Sequence, residues 1–389
     1  MRPPLAWLDG AEEIRDAVNA WWQEPDAPGL RVRELAQSKR RSVFHIQPTG
    51  KTGLIVKCFR EKSGRATLLS LTKRVLGRAP WQREKRGLEA LRGDPPLAPT
   101  FFGLARTPHG EMLVISEFIP GPSLWKTLNS AEQEGPSALA PCGPAIARLH
   151  RAGLAHGDLH PDNLLLAEPG PVLIDFQRSK KIGPRTRTDD LARLDFSLAL
   201  IDIPRKARDQ LIQDALPEEC DGVREQQRIL RRSRKLAAQH RRIRMRHSLR
   251  AGPERAPLQW EGSQGLRRTD FSEDDLRSVL QKSRQENADT RPQPQECTTP
   301  VHTGERLFYV HEQRPRSALG RIGQSLLGSP ARRAWQKAHD PQEPEAGCRT
   351  LAFSERRVLG IPISSVWVVE DEAPDRPSHT GKQPAEQAS

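Results

Sequence analysis

The sequence contains no run that approaches about eighteen consecutive apolar residues, so we expect no transmembrane helix. Its beginning, Met1 to Gly10, also lacks an apolar core of signal-peptide length, and the chain turns acidic at Glu12 and Glu13. Hydrophobic residues form only 35% of the 389 residues, which is low for one compact globule. We therefore expect two domains of ordinary size and some chain that is poorly ordered.

Cysteine is scarce and shows no pattern. The spacing of the five cysteines includes neither Cys-x-x-Cys nor a neighbouring cluster of histidines: Cys58, Cys142, Cys220, Cys297 and Cys348. A zinc site or a disulfide framework is therefore disfavoured, and we expect reduced thiols.

Negative charge is in the minority. The chain has 62 Lys and Arg against 49 Asp and Glu, a formal net charge of +13. This excess predicts an anionic partner, which would be nucleic acid, anionic lipid or a phosphorylated glycolipid. Basicity alone does not separate these partners, and a solvated basic surface is the alternative.

One loop and the strand after it carry the clearest chemical signal. The loop is His156-Gly-Asp-Leu-His-Pro-Asp-Asn163, and the apolar run Val172-Leu-Ile ends at Asp175. Asp158 can accept the proton of an attacking hydroxyl, while Asn163 and Asp175 offer oxygen ligands to Mg²⁺ on either side of a triphosphate. An acidic turn and a strand-end aspartate are each common alone. Together, in this order, they predict phosphoryl transfer from ATP with Mg²⁺.

His160 lies two residues after Asp158. We predict that it donates to the γ-phosphate as a second catalytic residue, with packing of the loop as an equally good alternative. His156 is expected to brace the loop.

A lysine upstream is the candidate cation for the α- and β-phosphates. Lys57 is centred in the apolar strand Leu54–Phe59, where an unpaired ammonium would be costly. Glu84, in a helix that follows, is the preferred partner, and Glu89 is the competitor on another side of that helix. The alternative role for Lys57 is that of an edge-strand lysine which prevents aggregation.

No glycine-rich loop precedes Lys57. The equivalent turn is Gln37-Ser-Lys-Arg-Arg-Ser42, which has no glycine, and Lys39 to Arg41 would add positive charge near the phosphates. We place the hinge that contacts the adenine at Glu117–Ile119, so that Glu117 and Ile119 are candidate nucleotide-binding residues.

The order of elements predicts an α+β, two-lobed, protein-kinase-like fold. An antiparallel-sheet small lobe precedes a short helical large lobe, and the C-terminal half is basic and partly disordered. The expected segments are a lead-in (1–29), the small lobe (30–119), the large lobe with the catalytic loop (120–220), a basic and polar linker (221–300), a possible degenerate second small lobe (301–370) and a disordered tail (371–389).

The possible second lobe depends on one internal similarity. Leu54 to Phe59 and Leu307 to Glu312 are both short apolar strands, and each is followed by a basic spacer, Leu-Gly and a helix start. Chance similarity between two arginine-rich segments is the alternative.

The acceptor is not expected to be a protein. No Ala-Pro-Glu element is evident, and only about forty residues separate Asp175 from Leu216, too few for the peptide-binding lobe of a protein kinase.

Four segments resemble the lipopolysaccharide core kinase family, which contains Kdo kinases and WaaP-type heptose kinases. They are His156 to Asn163, Leu173-Ile-Asp-Phe-Gln-Arg178, Asp190-Leu-Ala-Arg-Leu194 and Lys73 to Leu91, and the resemblance covers residues 30–215. It implies phosphorylation of a heptose or Kdo hydroxyl on the inner core of a lipid-anchored anionic glycolipid. It also implies a cytoplasmic protein at the inner membrane face, and makes nucleic acid an unexpected partner.

The second block also resembles this family's small lobe, with departures. His311 stands near the lysine position, and Ala334 or Trp335 stands where the helix glutamate belongs. The resemblance therefore implies a lobe that does not bind ATP productively.

Two other functions stay open. The catalytic loop is shared with aminoglycoside and choline kinase-like enzymes, although those usually carry an acidic helical insert that is not evident here. The non-enzymatic alternative is a pseudokinase or scaffold that binds an anionic partner. The intact set of Lys57, Asp158, Asn163 and Asp175 speaks against it.

Overall fold

The computed structural model describes residues 2–60, 74–93, 95–130, 137–288, 296–315, 317, 320–321, 324–325, 328–340 and 348–371. They divide into two compact units, Met1–Ala237 and Ala238–Ser389. Within these described ranges, no helix combines the length and the apolar character that crossing a membrane requires. Of the predicted tail (371–389), the residues from 372 onward lie outside the described residues.

The first unit begins with a six-stranded antiparallel sheet. Its strands are β1 (Ala6–Gly10), β2 (Leu30–Gln37), β3 (Arg41–Pro48), β4 (Leu54–Phe59), β5 (Phe101–Arg106) and β6 (Met112–Glu117). They lie in the order β1-β5-β6-β4-β3-β2. β4 is therefore an interior strand, hydrogen-bonded to β3 and β6, and its nearly continuous burial fits an apolar run.

Two helices cover opposite faces of this sheet: α1 (Glu12–Gln23) and α2 (Pro80–Ala90). Side chains alternate between the faces of a strand, so neighbours in β4 point to opposite sides. Val56 packs in the cluster that includes Trp21 of α1. Lys57 points to the other face, where it meets Glu84 of α2.

The rest of the first unit is mainly helical. Its helices are α3 (Leu124–Asn129), α4 (Cys142–Arg151), α5 (Pro184–Ala199), α6 (Arg205–Ala215) and the start of α7 (Gly222–His247). Two short antiparallel ribbons pair β7 (Leu154–Ala155) with β10 (Lys180–Lys181), and β8 (Leu164–Ala167) with β9 (Gly170–Leu173). Fully buried Ile146, Leu149, Leu191 and Leu194 belong to one core that also includes Leu88 of α2.

Two expected segments differ from the structure. Residues 1–29 are expected to be a lead-in, but β1 joins the sheet as an edge strand beside β5 and α1 covers its face. Residues 221–300 are expected to be a linker, but the described part forms α7, a hairpin, a further helix and the start of a strand at Glu296. Regular elements form there because isolated apolar residues such as Leu258 and Leu276 find a shared core.

The second unit is also built on a six-stranded antiparallel sheet. Its strands are β11 (Arg255–Trp260), β12 (Ser263–Arg268), β13 (Glu296–Thr303), β14 (Arg306–Gln313), β15 (Cys348–Val358) and β16 (Ile361–Asp371), and its helices are α8 (Glu273–Glu286) and α9 (Pro330–Ala338). The order is β11-β12-β15-β16-β14-β13. α8 packs on the face that carries Val310, and Trp335 of α9 packs on Phe353 at a ring-centroid distance of 5.4 Å.

The strand order of the second sheet repeats that of the first. In chain order, β12, α8, β13, β14, α9, β15 and β16 correspond to β1, α1, β3, β4, α2, β5 and β6. The shared arrangement is β1-β5-β6-β4-β3 in one sheet and β12-β15-β16-β14-β13 in the other. Each sheet then adds one strand at an edge, β2 in the first and β11 in the second. The topological repeat thus begins at β12, before the residue 301 expected from the sequence.

Candidate active site

The catalytic loop is anchored through its backbone to one buried carboxylate. Asp190 of α5 accepts hydrogen bonds from the backbone N–H groups of His156 (2.6 Å) and Gly157 (2.8 Å). The His156 ring contacts the carbonyl of Ile174 through Nε2 at 2.9 Å. Burial lowers the pKa of His156 despite the nearby carboxylates. These contacts fix the loop against the segment that ends at Asp175, which agrees with a bracing role for His156.

The backbone conformation and the close packing at Gly157 both require a glycine. Its φ of +77° lies in the left-handed region, and a Cβ atom there would come within 2.1 Å of the Arg178 carbonyl oxygen. The backbone at Arg178 therefore lies directly against the catalytic loop.

Asp158 is held by two arginines. Arg178 (3.1 Å) and Arg193 (2.9 Å) both donate through Nη1 to Oδ1 of Asp158. Oδ2 accepts no hydrogen bond from any described residue, so one oxygen is fixed and the other is available to a hydroxyl proton.

Asn163 is oriented by the loop that carries Asp158. Its Nδ2 donates to the Asp158 carbonyl at 2.9 Å and lies 3.0 Å from Nε2 of His160. Its amide oxygen accepts no hydrogen bond within the described part of the chain, as a metal ligand requires. Because His160 contacts Asn163, the structure gives it a positioning contact, and its role at the γ-phosphate stays a prediction.

Asp175 lies at the centre of the positive charge. Its φ is +71°, and its carboxylate accepts two hydrogen bonds from Arg41 (2.6 and 2.9 Å) and contacts Lys57 at 3.4 Å. Burial alone would raise the pKa of Asp175, but Lys57 and Arg41 outweigh it and lower the pKa to about 2. Asp175 is therefore anionic at any physiological pH.

Lys57 forms a buried ion pair with Glu84, while Glu89 pairs with Lys85 on the helix surface at 2.8 Å. The geometry thus selects Glu84 from the two candidates. Burial alone would lower the pKa of Lys57, but the Glu84 and Asp175 carboxylates raise it above its ordinary value. The alternative of an edge-strand lysine is wrong, because β4 is hydrogen-bonded on both sides.

The turn between β2 and β3 holds its shape without glycine. Ser38 organises it: Oγ of Ser38 accepts from the N–H of Arg41 at 3.0 Å, and the N–H of Ser38 donates to the Arg41 carbonyl at 2.7 Å. The turn places Arg41 on Asp175. The sequence indicated positive charge in this turn but not the particular contact.

At the predicted hinge, the backbone of Ile119 is more open to a ligand than the side chain of Glu117. The Glu117 carboxylate is occupied by Thr100, accepting from its hydroxyl at 2.8 Å and its N–H at 3.2 Å. No hydrogen bond to the backbone of Ile119 forms among the described residues. An adenine contact here would therefore use the main chain.

Mg²⁺ suits the donors that are present. No group of three or more His, Cys, Asp and Glu side chains within the described ranges could hold a metal alone. Mg²⁺ commonly uses one or two protein oxygens and takes its other ligands from phosphates and water. The open amide oxygen of Asn163 and the ionised Asp175 fit that requirement.

The comparisons with known proteins agree with this geometry. The profile of the lipopolysaccharide kinase (Kdo/WaaP) family matches residues 20–214. This chain belongs to that family. The match lies within the first unit and includes Lys57, Glu84, Asp158, Asn163 and Asp175. It supports a protein-kinase-like fold, with β2–β6 and α2 forming the small lobe.

Individual relatives match over shorter spans. The chain is 31% identical over 121 residues to "Putative cyclin-dependent kinase F-2" from Oryza sativa subsp. japonica, covering 27% of this chain and 36% of that protein. It is 27% identical over 167 residues to "Serine/threonine-protein kinase AfsK" from Streptomyces griseus, covering 37% of this chain and 19% of that protein. The chain thus spans about a third and a fifth of these relatives. The family and both relatives agree with an ATP-dependent kinase.

Three contacting residues were not identified from the sequence as parts of the site. Arg178, Arg193 and Asp190 all lie within the segments that carry the family resemblance, but their contacts join positions 20, 35 and 34 residues apart. Only local sequence features could have identified these residues. Arg178 directly follows the Asp-Phe-Gln segment, and Asp190 and Arg193 interrupt an apolar helix.

Proposed function

We propose that the chain is a Mg²⁺- and ATP-dependent kinase that phosphorylates a sugar hydroxyl, of heptose or Kdo, in the inner core of lipopolysaccharide. The main support is the set of Asp158, Asn163, Asp175 and the Lys57–Glu84 pair within the segment that matches the family. Nucleotide binding would use Lys57 and the backbone near Glu117 and Ile119, in addition to the metal ligands.

The reaction would begin with the acceptor hydroxyl at Oδ2 of Asp158. The hydroxyl proton passes to Asp158 as the acceptor oxygen forms its bond to the γ-phosphorus of ATP. The bond from that phosphorus to the bridging oxygen breaks, and its electron pair leaves with ADP. Asp158 then releases the proton to water. Mg²⁺, held by Asn163 and Asp175, would neutralise charge on the phosphates.

The protein's own cations would act on the nucleotide. Lys57 is already oriented by Glu84, so its ammonium loses little conformational freedom on meeting the α- and β-phosphates. Arg41 neutralises Asp175 when no metal is bound, and would turn from that carboxylate towards the phosphates when Mg²⁺ and ATP arrive. His160 would keep Asn163 in place as a ligand and, as predicted from the sequence, contact the γ-phosphate.

The second unit is proposed to be a second, degenerate small lobe. His311 in β14 pairs with residues of β13 and β16, as Lys57 in β4 pairs with β3 and β6. Counting from the proline that opens each helix, Ala334 in α9 takes the place of Glu84 in α2. A lobe without the cation and its carboxylate would not bind ATP productively.

A membrane-facing role is proposed for α7. This helix contains many exposed basic side chains, among them Arg234, Lys235, Arg242 and Arg246. Such a helix suits the anionic surface on which a lipid-anchored acceptor would lie. The protein would then act as a peripheral protein on the cytoplasmic face of the inner membrane.

The test is a panel of acceptors with the full-length chain, ATP and Mg²⁺. We expect phosphate transfer to a soluble inner-core oligosaccharide, and none to choline or an aminoglycoside. Transfer to one of the small molecules alone would replace the proposal with the second enzyme function. ATP binding without transfer to any acceptor would favour a pseudokinase.

A further inference from the structure

We propose that Arg178 and Arg193 form an anion-binding subsite for the acceptor, so that the phosphorylated hydroxyl lies close to an anionic group of the acceptor. This inference rests on the proposed function and specifies its acceptor. The group would be the carboxylate of a sugar acid or a phosphate on a neighbouring sugar. A plain neutral sugar would be a poor acceptor.

Cations are in excess at the proposed base, Asp158. Two guanidinium groups meet one carboxylate oxygen, so among the described residues the three groups together carry one excess formal positive charge. A guanidinium has five N–H donors, and the bond to Asp158 uses one from each arginine. The remaining donors can form the paired hydrogen bonds that carboxylates and phosphates accept.

Both arginines are more accessible to solvent than the carboxylate that they contact. The Arg178 side chain is 59% exposed and that of Arg193 is 37% exposed, whereas the Asp158 side chain is 19% exposed. An incoming acceptor therefore meets the arginines as it approaches the carboxylate.

The backbone that carries the two arginines is held in place. The Arg178 backbone lies directly against Gly157 of the catalytic loop. Arg193 belongs to α5 between the fully buried Leu191 and Leu194. Both guanidiniums thus extend from backbone that is fixed relative to Asp158. An acceptor whose anionic group is bound to them would therefore have its hydroxyl oriented towards Asp158.

The chain around Arg178 is positively charged. Residues 176–188 contain five basic residues and no Asp or Glu: Arg178, Lys180, Lys181, Arg185 and Arg187. Lys180, Lys181 and Arg185 are exposed. A positively charged segment beside Asp158 would attract an anionic acceptor and repel a cationic one, such as an aminoglycoside or choline.

The test compares matched acceptors with the full-length protein. One is a Kdo-containing core oligosaccharide, the second is the same oligosaccharide with its carboxyl groups reduced to alcohols, and the third is its dephosphorylated form. We expect Arg178→Gln and Arg193→Gln each to raise KM for the intact acceptor by about tenfold to a hundredfold, while KM for ATP stays constant. Removing the group that binds the arginines should raise the wild-type KM similarly.

The effects on KM of substituting an arginine and of removing the acceptor's anionic group should not be additive. A variant that has lost its arginine should no longer distinguish the intact acceptor from the one that lacks the bound group. Sensitivity to carboxyl reduction would identify a carboxylate, and sensitivity to dephosphorylation would identify a phosphate. Arg205→Gln is the matched control, because Arg205 is an exposed arginine that pairs with Asp209 on α6 at 3.3 Å; its KM values should not change.

Three results would overturn the inference. In the first, neither change to the acceptor affects the wild-type KM. In the second, the arginine variants lower kcat equally for every acceptor, which would mean that the arginines act only by holding Asp158. In the third, the wild-type protein transfers no phosphate to any core acceptor. Only this third result would also overturn the proposed function, because in the first two the wild type still phosphorylates a core acceptor.

Discussion

At the scale of single residues, the carboxylates of the site are matched by cations before any substrate is bound. Asp158 meets Arg178 and Arg193, and Asp175 meets Arg41 and Lys57. An unpaired carboxylate in partly buried surroundings would be costly, and these pairs offset that cost at Asp158 and Asp175. The cations that neutralise it are also those that would meet the phosphates and the acceptor.

This pairing predicts how stability depends on pH in the absence of Mg²⁺. The folded-state pKa of Asp175, about 2, lies below its unfolded value of about 3.9. Asp175 therefore stabilises the fold above pH of about 4, and that contribution is lost as the pH falls towards about 2. We expect urea unfolding to show the wild type about 2 kcal/mol more stable than Asp175→Asn near pH of about 5. This difference in the free energy of unfolding should disappear towards pH of about 2. A difference that stays constant with pH would contradict the ion pairs of Asp175.

At the scale of elements, the catalytic loop depends on tight contacts with its neighbours. Asp190 of α5 binds two of its N–H groups, and the carbonyl at Arg178 fills the space beside Gly157. The loop therefore acts as a rigid turn between β7 and β8, and its precision is set by α5 and by the segment after Asp175.

Two glycines in this region allow a matched experiment. Gly153 (φ +81°) and Gly157 (φ +77°) both lie in the left-handed region, but a Cβ at Gly153 meets nothing within 4 Å. Gly153→Ala should cost only about 1–2 kcal/mol of stability for its backbone conformation. Gly157→Ala should cost more and also lose most transfer activity, because Asp158 and Arg178 must separate. Equal effects of the two changes on stability and activity would show that the close contact is unimportant.

The sequence predicted contacts that local patterns encode and missed those that the fold creates. The loop with Asp158 and Asn163, and the strand that ends at Asp175, were evident because their spacing is short. Arg41 reaches Asp175 across 134 positions, so no local pattern reveals it. Likewise, the polar sequence of β11 and β12 predicts a linker, and only the pairing of β11 with β12 and of β12 with β15 makes them strands.

At the scale of the whole molecule, the chain contains two sheets with one shared strand order. The first lies within the segment that matches the family, and the second follows the end of the match at residue 214. The duplicated small lobe proposed above would explain why strands and helices continue beyond the large lobe. The basic helix α7 follows directly after the matched segment.

The proposed membrane role of α7 has a direct test in the full-length protein. Replacing Arg234, Lys235, Arg242 and Arg246 with glutamine should weaken binding to anionic vesicles, because each basic side chain near such a surface contributes about 1 kcal/mol. Wild-type binding should also fall steeply with added salt. Phosphate transfer to a soluble oligosaccharide should stay at the wild-type rate. Unchanged vesicle binding by the folded variant would exclude α7 as the contact.

Phosphate transfer to a soluble core oligosaccharide by the wild type and by Asp158→Asn tests most directly whether the chain is a kinase with Asp158 as its base. The variant keeps the shape of the side chain and removes the proton acceptor, so it should bind Mg²⁺-ATP normally and lose about 10²–10⁴-fold in transfer rate. Asp209→Asn, a change to a carboxylate paired with Arg205 on α6, should transfer at the wild-type rate. Wild-type-like transfer by a folded Asp158→Asn protein would contradict the account.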